Sequence, residues 1–400
     1  MPRHGARLAG GAGPPPAPRG ALLTPGGRVL ECGESKRFDG LAQRAVALRR
    51  RRSGGRRLER VPMATMVDIA RRAGVSVSTV SYVLSGKRPI SAETRQRVLA
   101  VMEECAYQPS ELGRALATRR SRTVSLLLPM SGRALTEMDF EFVTAAAAVA
   151  EEHGYGFSLT MDPSDEVDLL ALTRRGRTDG LILMEIRQRD PRVELLRASE
   201  VPFALIGHCA DNAGVSYVDL DFAQAMDAAV AHLADLGHRR VALLSFPPEL
   251  AAAGYGPAVR SAEGFARAVA AHGLAGIRYD CPTTLAAGEA LAAAWAADPE
   301  RPTGVVALNL EPLGGIMLAA PAVGLPVPDA LSVVAVASER TVRFLSPAPT
   351  LLEFPVVAMG RTGAELLVRK LEGGDGTPPE QVLLEGVLRV RRSTAPAPGT

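Results

Sequence analysis

The sequence predicts an N-terminal all-α helix-turn-helix headpiece followed by a two-lobed α/β core, its parallel sheets flanked by helices. Three observations carry this prediction. Residues 65–85, TMVDIARRAGVSVSTVSYVLS, fit two short helices joined by a tight turn. From residue 123 onward, short apolar β-rich runs alternate with Ala-rich helical stretches. Charge is divided unevenly: residues 1–62 carry +10, residues 63–122 carry +5 and residues 123–400 carry −12, within a whole-chain net of +3. A basic module ahead of an acidic body fits one part that meets phosphate and one that does not.

Residues 1–62 contain PPPAP, paired glycines and RRRRSGGRR, and little in them could bury an apolar face. The expectation is a disordered basic tail, an arm that grips DNA phosphates, or a stretch ahead of the native start. Met63 and Met66 stand where an N-terminal DNA module would begin.

The headpiece is expected over 63–109. Thr65 and Asp68 have the spacing of a capping box, opening a helix that runs to about Ala73. Ala70 and Ala73 let a second helix cross closely, and Gly74 permits the positive φ of the turn. Ser76 is a suitable N-cap for a helix from Val77 to Leu84. Val80, Val83 and Leu84 form its inward stripe, leaving Val77, Ser78, Thr79, Ser81 and Tyr82 outward. Such a face can enter the major groove, although a hairpin with no ligand has the same pattern. Ser91 starts a third helix, whose Val98, Leu99 and Met102 are expected to cover the first two. Residues 110–122 then read as a short helix candidate, SELGRALAT, and a basic linker.

The core is expected over 123–394, with a short disordered tail at 395–400. Seven apolar runs begin at 123, 156, 180, 202, 239, 303 and 331, and helical stretches at 139–152, 222–236, 258–272, 285–297 and 355–372 separate most of them. Continuous apolar strands with crossover helices imply parallel sheets covered on both faces, and the length suits two lobes with a cleft between them.

Several classes are disfavoured. The four cysteines are far apart, with no C-x-x-C spacing, and fit a reducing cytosol. No apolar run approaches the ~18–20 residues of a membrane span, and no secretory signal stands out. Without such a signal, a solute-binding receptor would leave residues 64–122 unexplained. For an enzyme, no Ser-His-Asp order, Gly-rich phosphate loop or metal-ligand cluster stands out. His238, in LGHRR, reads as ordering a helix-to-strand turn rather than acting as a base. No cofactor is expected.

VDIARRAGVSVSTVSYVLSG, followed by ISAETRQRVLAVMEECAYQPS, resembles the LacI/GalR family of bacterial transcription regulators. DGLIL at 179–183, VDLDF at 218–222, AHLADLGHRRVALL at 231–244, EGFARAV at 263–269 and GLPVPDALSVVAV at 324–336 are weaker landmarks, so the match spans about Ala64 to Arg392. The resemblance implies a cytoplasmic, nucleoid-associated homodimer that acts as a repressor on a roughly palindromic DNA operator, with an activator role left open because sequence does not encode promoter position. It also implies a periplasmic-binding-protein-like core that senses a small molecule.

The resemblance places base-reading positions at Val77, Ser78 and Tyr82. Thr65, Ser76, Thr79 and Ser81 are short donors suited to phosphate oxygens. Tyr82 replaces an arginine common in the family, removing a bidentate guanine contact. Residues 110–118 match a hinge helix whose leucine, here Leu116, wedges into the minor groove. Gly113 and Glu111 weaken that helix, so its folding is expected to depend on DNA. In the cleft, Asp221 matches an acidic position and could bind a ligand hydroxyl or cap the helix at Phe222. Arg260 lies near the family's ligand arginine and could hold a carboxylate, a phosphate or a hydroxyl pair. Phe140 could stack on a ligand or pack as core, and Asn309 ends a strand at the cleft edge. Ala337, Ser338 and Leu310 stand where sugar-binding acids are usual in the family. A simple monosaccharide is therefore disfavoured, in favour of a less polar ligand, an anionic ligand or a vestigial pocket.

Overall fold

The computed structural model describes residues 64–85, 88–105, 107, 121–129, 135–161, 169–174 and 177–399. The basic segment 1–62 and the expected hinge helix with Leu116 lie outside them.

Among the described residues, the headpiece has three helices: α1 (Met66–Ala73), α2 (Val77–Ser85) and α3 (Ala92–Glu104). The expected capping box at the start of α1 forms reciprocally. The Thr65 amide donates to Asp68 at 3.0 Å, and the Asp68 amide donates to the Thr65 hydroxyl at 3.3 Å. These Thr65 contacts, with Arg71 and Arg72 nearby, hold the Asp68 carboxyl below its usual range. Gly74 ends α1 at φ 65°, in the left-handed region that favours glycine. Ser76 starts α2 by accepting from the Thr79 amide at 3.0 Å, as its N-cap reading requires.

Ile69, Val80 and Val98 are fully buried, with Ala70, Ala73, Val83 and Met102 packed around them. Each large apolar side chain so buried contributes about 1.5–3 kcal/mol. Leu84 is partly buried. Leu99, expected to help cover α1 and α2, is instead 45% exposed. The buried line of α3 runs through Val98 and Met102, four residues apart, and Leu99 is rotated off it.

Among the described residues, the core holds two six-stranded sheets. The N-lobe sheet is built from β1 (Thr123–Leu127), β2 (Gly156–Thr160), β3 (Gly180–Leu183), β4 (Phe203–Ile206), β5 (Tyr217–Leu220) and β11 (Gln381–Leu384). Its order is β11-β5-β4-β3-β1-β2, all parallel. The C-lobe sheet is built from β6 (Arg240–Ser245), β7 (Ala275–Asp280), β8 (Gly304–Ala307), β9 (Ser332–Ala337), β10 (Thr350–Glu353) and β12 (Val387–Arg389). Its order is β12-β10-β9-β8-β6-β7, with only β12 antiparallel.

All seven expected runs are strands, but five further strands were not expected. β7 is polar and largely exposed, β11 and β12 are short edge strands, and β5 is interrupted by Asp219. β10, TLLE, is too short to stand out from a helical pattern. A short central strand buried on both faces needs no alternation to mark it.

The five expected helical stretches appear as α4 (Glu137–Glu152), α7 (Phe222–Asp235), α9 (Gly256–Ala271), α10 (Leu285–Ala297) and α13 (Val356–Gly373). Shorter α5 (Leu169–Arg174), α6 (Pro191–Arg197), α8 (Pro248–Ala252), α11 (Leu310–Ala319) and α12 (Glu339–Val342) add to them. In the N lobe, α4 and α13 pack together, and α13 lies against β3, β4 and β5. In the C lobe, α7 and α9 form one layer and α10 and α11 pair elsewhere.

The chain crosses between lobes at three adjacent places: Asp221, Phe354–Pro355 and Glu385–Gly386. The crossings bond to one another. The Asp221 amide donates to the Leu384 carbonyl at 2.8 Å, and Gln224 accepts from the Gly386 amide at 3.1 Å. The Phe354 ring meets Phe142 and Phe222 edge-on, each at 6.3 Å between centroids. An apolar hub thus surrounds the hinge, and the two lobes face each other across the C-terminal ends of their strands.

Candidate nucleic-acid interface and effector cleft

The outer face of α2 begins at its N-terminus. Val77 is 41% exposed, and Ser76 and Ser78 are also exposed. Thr79, Ser81 and Tyr82 are half-buried, so the fully outward expectation holds for the first turn only. Thr79 shares a 2.9 Å hydrogen bond with the Ser76 hydroxyl. Tyr82 lies under the Arg88 guanidinium, 5.2 Å from its ring centroid. That contact puts a cation beside the position where the expected arginine is missing. At the start of α1, Thr65 is exposed, with its hydroxyl already bonded to Asp68 at 2.6 Å.

Between the lobes, the loop after β3 meets the start of α9. The Gln188 amide donates to the Gly254 carbonyl at 2.7 Å, and the Gly256 amide to the Ile186 carbonyl at 2.9 Å. Buried Asp190 braces this loop by capping α6 and accepting from Arg192 at 2.7 Å. Burial alone would raise the Asp190 carboxyl, but Arg192 and two backbone amides hold it below the usual range. Glu185, in the same loop, adopts φ 57°, a conformation rare for a non-glycine residue and frequent at functional sites.

Arg260 reaches across the cleft from α9. Its Nη2 donates to Asp219 on β5 at 2.6 Å and its Nη1 to the His208 carbonyl at 2.9 Å. His208 Nδ1 approaches the same carboxylate oxygen at 2.8 Å, and its ring stacks on Tyr217 at 4.8 Å. The sequence did not point to Asp219 or His208. VDLDF offers two acids, and only the fold reveals that the first faces an arginine 41 residues away.

The other expected cleft residues take separate roles. Asp221 caps α7, accepting from the Ala223 and Gln224 amides at 3.0 Å each. Of its two readings, the cap is present. Asn309 is buried, and its amide donates to the carbonyls of Ser245 and Cys281 at 3.3 and 3.0 Å. It therefore ties together strand ends at the cleft edge. Phe140 is 55% exposed, which rules out core packing. Ser338 is buried and donates to Glu141 of the N lobe at 3.0 Å. Beside it, Arg340 and Arg343 reach Glu137 at 3.3 and 3.1 Å.

His238 is fully buried, as its turn-ordering role requires, between the Thr303 hydroxyl at 2.8 Å and the Ala395 carbonyl at 3.2 Å. The chain packs on the core as far as Ala397, which is buried and whose amide donates to the Leu236 carbonyl at 2.8 Å. The tail expected to be disordered from 395 is anchored by these contacts. Burial pushes the thiols of Cys209 and Cys281 up to about 11, so neither is a thiolate near neutral pH.

A small helical module presenting one exposed helix start, followed by a hinged two-lobed core, invites comparison with known proteins. Residues 65–110 match the description "Bacterial regulatory proteins, lacI family", and residues 230–394 match "Periplasmic binding protein-like domain". The HTH-type transcriptional regulator AglR of Rhizobium meliloti is 30% identical over 344 residues, covering 83% of this chain and 94% of AglR. The HTH-type transcriptional regulator MalR of Streptomyces coelicolor is 32% identical over 358 residues, covering 84% and 97%. The chain belongs to the LacI family.

Solved structures agree in fold. The CelR–cellobiose complex is similar with a TM-score of 0.60 and 26% identity, over 82% of this chain and 99% of CelR. The Lac repressor dimer bound to operator and the anti-inducer ONPF gives 0.68 at 22% identity, over 83% and 99%. As a LacI-family member the chain is a DNA-binding transcriptional regulator, with an N-terminal helix-turn-helix and an effector-type core. Among the described residues, no helix is long and apolar enough to cross a membrane.

Proposed function

We propose that this LacI-family regulator is a cytoplasmic, nucleoid-associated repressor. It binds a palindromic operator as a homodimer, and a small molecule in the interlobe cleft modulates that binding. The observation that carries this reading is the exposed first turn of α2, where Val77 and Ser78 face outward above a fully buried Val80. A rigid helix start with free small side chains suits the floor of a major groove. Val77 meets a thymine methyl and Ser78 a base edge, with Tyr82 at the rim. Thr65, Ser76, Thr79 and Ser81 meet phosphates. Leu116 supplies the minor-groove wedge.

In the cleft, Phe140 and Arg260 contact the effector, while Asp221 and Asn309 hold the walls in place. A second copy of the chain covers apolar residues that α10, α11 and the segment after α12 leave exposed on the C lobe. Leu285 is 49%, Leu318 69% and Phe344 77% exposed, which leaves apolar surface for a partner to cover. A gel shift against the promoter of the protein's own gene tests the reading. Sequence-selective retardation that weakens steeply with salt is expected. Binding that is equal on all DNAs at every salt concentration would contradict it.

A further inference from the structure

Arg260 is a cationic group of the cleft, and the structure shows what surrounds it. Its side chain is 12% exposed and is paired with the Asp219 side chain, which is 3% exposed. The second Asp219 oxygen accepts from the Leu220 amide at 2.8 Å, which fixes the carboxylate on β5. His208 Nδ1 completes the triad. Two further features hold Arg260 in this pose. Its side chain folds back over the first turn of α9, where a Cβ on Gly256 would come within 2.4 Å of Nη2. The Phe222 ring lies 5.7 Å from the guanidinium carbon. Asp219, the arginine and the glycine that makes room for it form one built arrangement spanning both lobes.

We propose that Asp219 determines the specificity of the cleft: as an internal counter-ion of Arg260, it excludes anions and selects an uncharged ligand with hydroxyl or amide groups. The proposal deepens the effector reading above and rests on the cleft being the effector site. An incoming carboxylate or phosphate competes with a preformed 2.6 Å ion pair and is repelled by its carboxylate at close range. An uncharged ligand meets no such repulsion, and a hydroxyl group can donate to the acid while accepting from the base. The anionic alternative that Arg260 alone would allow is thereby closed. The buried Nε of Arg260 has no hydrogen-bond partner among the described residues, leaving one donor for such a group when the lobes part.

Inorganic phosphate is the probe, titrated by calorimetry into the full-length protein. Wild type is expected to show no saturation up to the highest phosphate concentration used, and Asp219→Asn, which keeps the shape and removes the charge, should half-saturate at least tenfold below that limit. Adding Arg260→Gln to that variant should abolish the gain. Asp219→Ser serves as the second variant, and circular dichroism checks that each is folded. Wild-type binding as tight as that of the variants, or no gain in either variant, would overturn the proposal. So would a gain that survives Arg260→Gln. The wider effector reading fails separately, if uncharged and anionic metabolites alike leave operator occupancy unchanged.

Discussion

The outer face of α2 and the inner face of the cleft are both polar surfaces, but they use their polar groups in opposite ways. On α2 the exposed groups are short and uncharged, and Ser78 points to solvent. In the cleft the polar groups, charged and neutral, are mostly buried and already bonded: Arg260 to Asp219, Ser338 to Glu141, Asn309 to two carbonyls. The difference has a physical origin. A groove-reading surface meets a hydrated polyanion and keeps its donors available, whereas a cleft closed from water must satisfy each polar group internally. DNA binding should therefore respond mainly to changes that unfold or reshape the headpiece, and the cleft to changes that unpair a charge.

The largest effect expected from breaking this contrast is on the headpiece core. Ile69→Ala removes a fully buried side chain and should cost about 2–5 kcal/mol. A module this small has little stability in reserve. Operator binding should be lost in gel shifts while the core keeps its own thermal transition. Of similar size in stability, but without loss of DNA binding, is Arg260→Gln, which leaves Asp219 buried at 3% exposure without its cation. Breaking such a pair costs about 3–5 kcal/mol, to be read as a lower denaturant midpoint for the core. Non-specific DNA affinity should stay unchanged.

How much of this was legible in the sequence differs between the same two surfaces. The headpiece reads locally: Thr65, Asp68, Gly74 and Ser76 act on neighbours within a few residues, and each takes the expected part. Leu99 misleads because one helical position separates a buried line from an exposed one. The cleft depends on contacts across long separations. Asp219 meets Arg260, and Glu141 meets Ser338 197 residues away, and no spacing rule encodes either pair. Asp221 shows the limit from the other side: both of its readings were visible, but only the geometry of β5 running into α7 shows the cap.

Smaller effects sharpen the contrast. Ser78→Ala should lower operator affinity by about 1 kcal/mol and leave non-specific binding unchanged, as measured by fluorescence anisotropy on matched duplexes. The smallest effect is a pH dependence of core stability. Burial lowers the pKa of His238 and of His232 below 6.5, so both stay neutral in the folded chain where the unfolded chain takes up protons. The unfolded state then binds more protons, so stability falls as pH drops through 6.5 toward the folded-state values and is constant above it. Each tenfold difference in proton affinity between the folded and unfolded chain is worth about 1.4 kcal/mol. Denaturant melts between pH 5 and pH 8 (roughly the histidine range) should show this slope, and His238→Gln should flatten it.

The most direct test of the account is selection of bound sites from random duplex DNA by the full-length protein, repeated with candidate metabolites. The account predicts a two-fold symmetric consensus whose recovery changes when an uncharged metabolite is added. Recovery of unenriched, asymmetric sequences under every condition would contradict it.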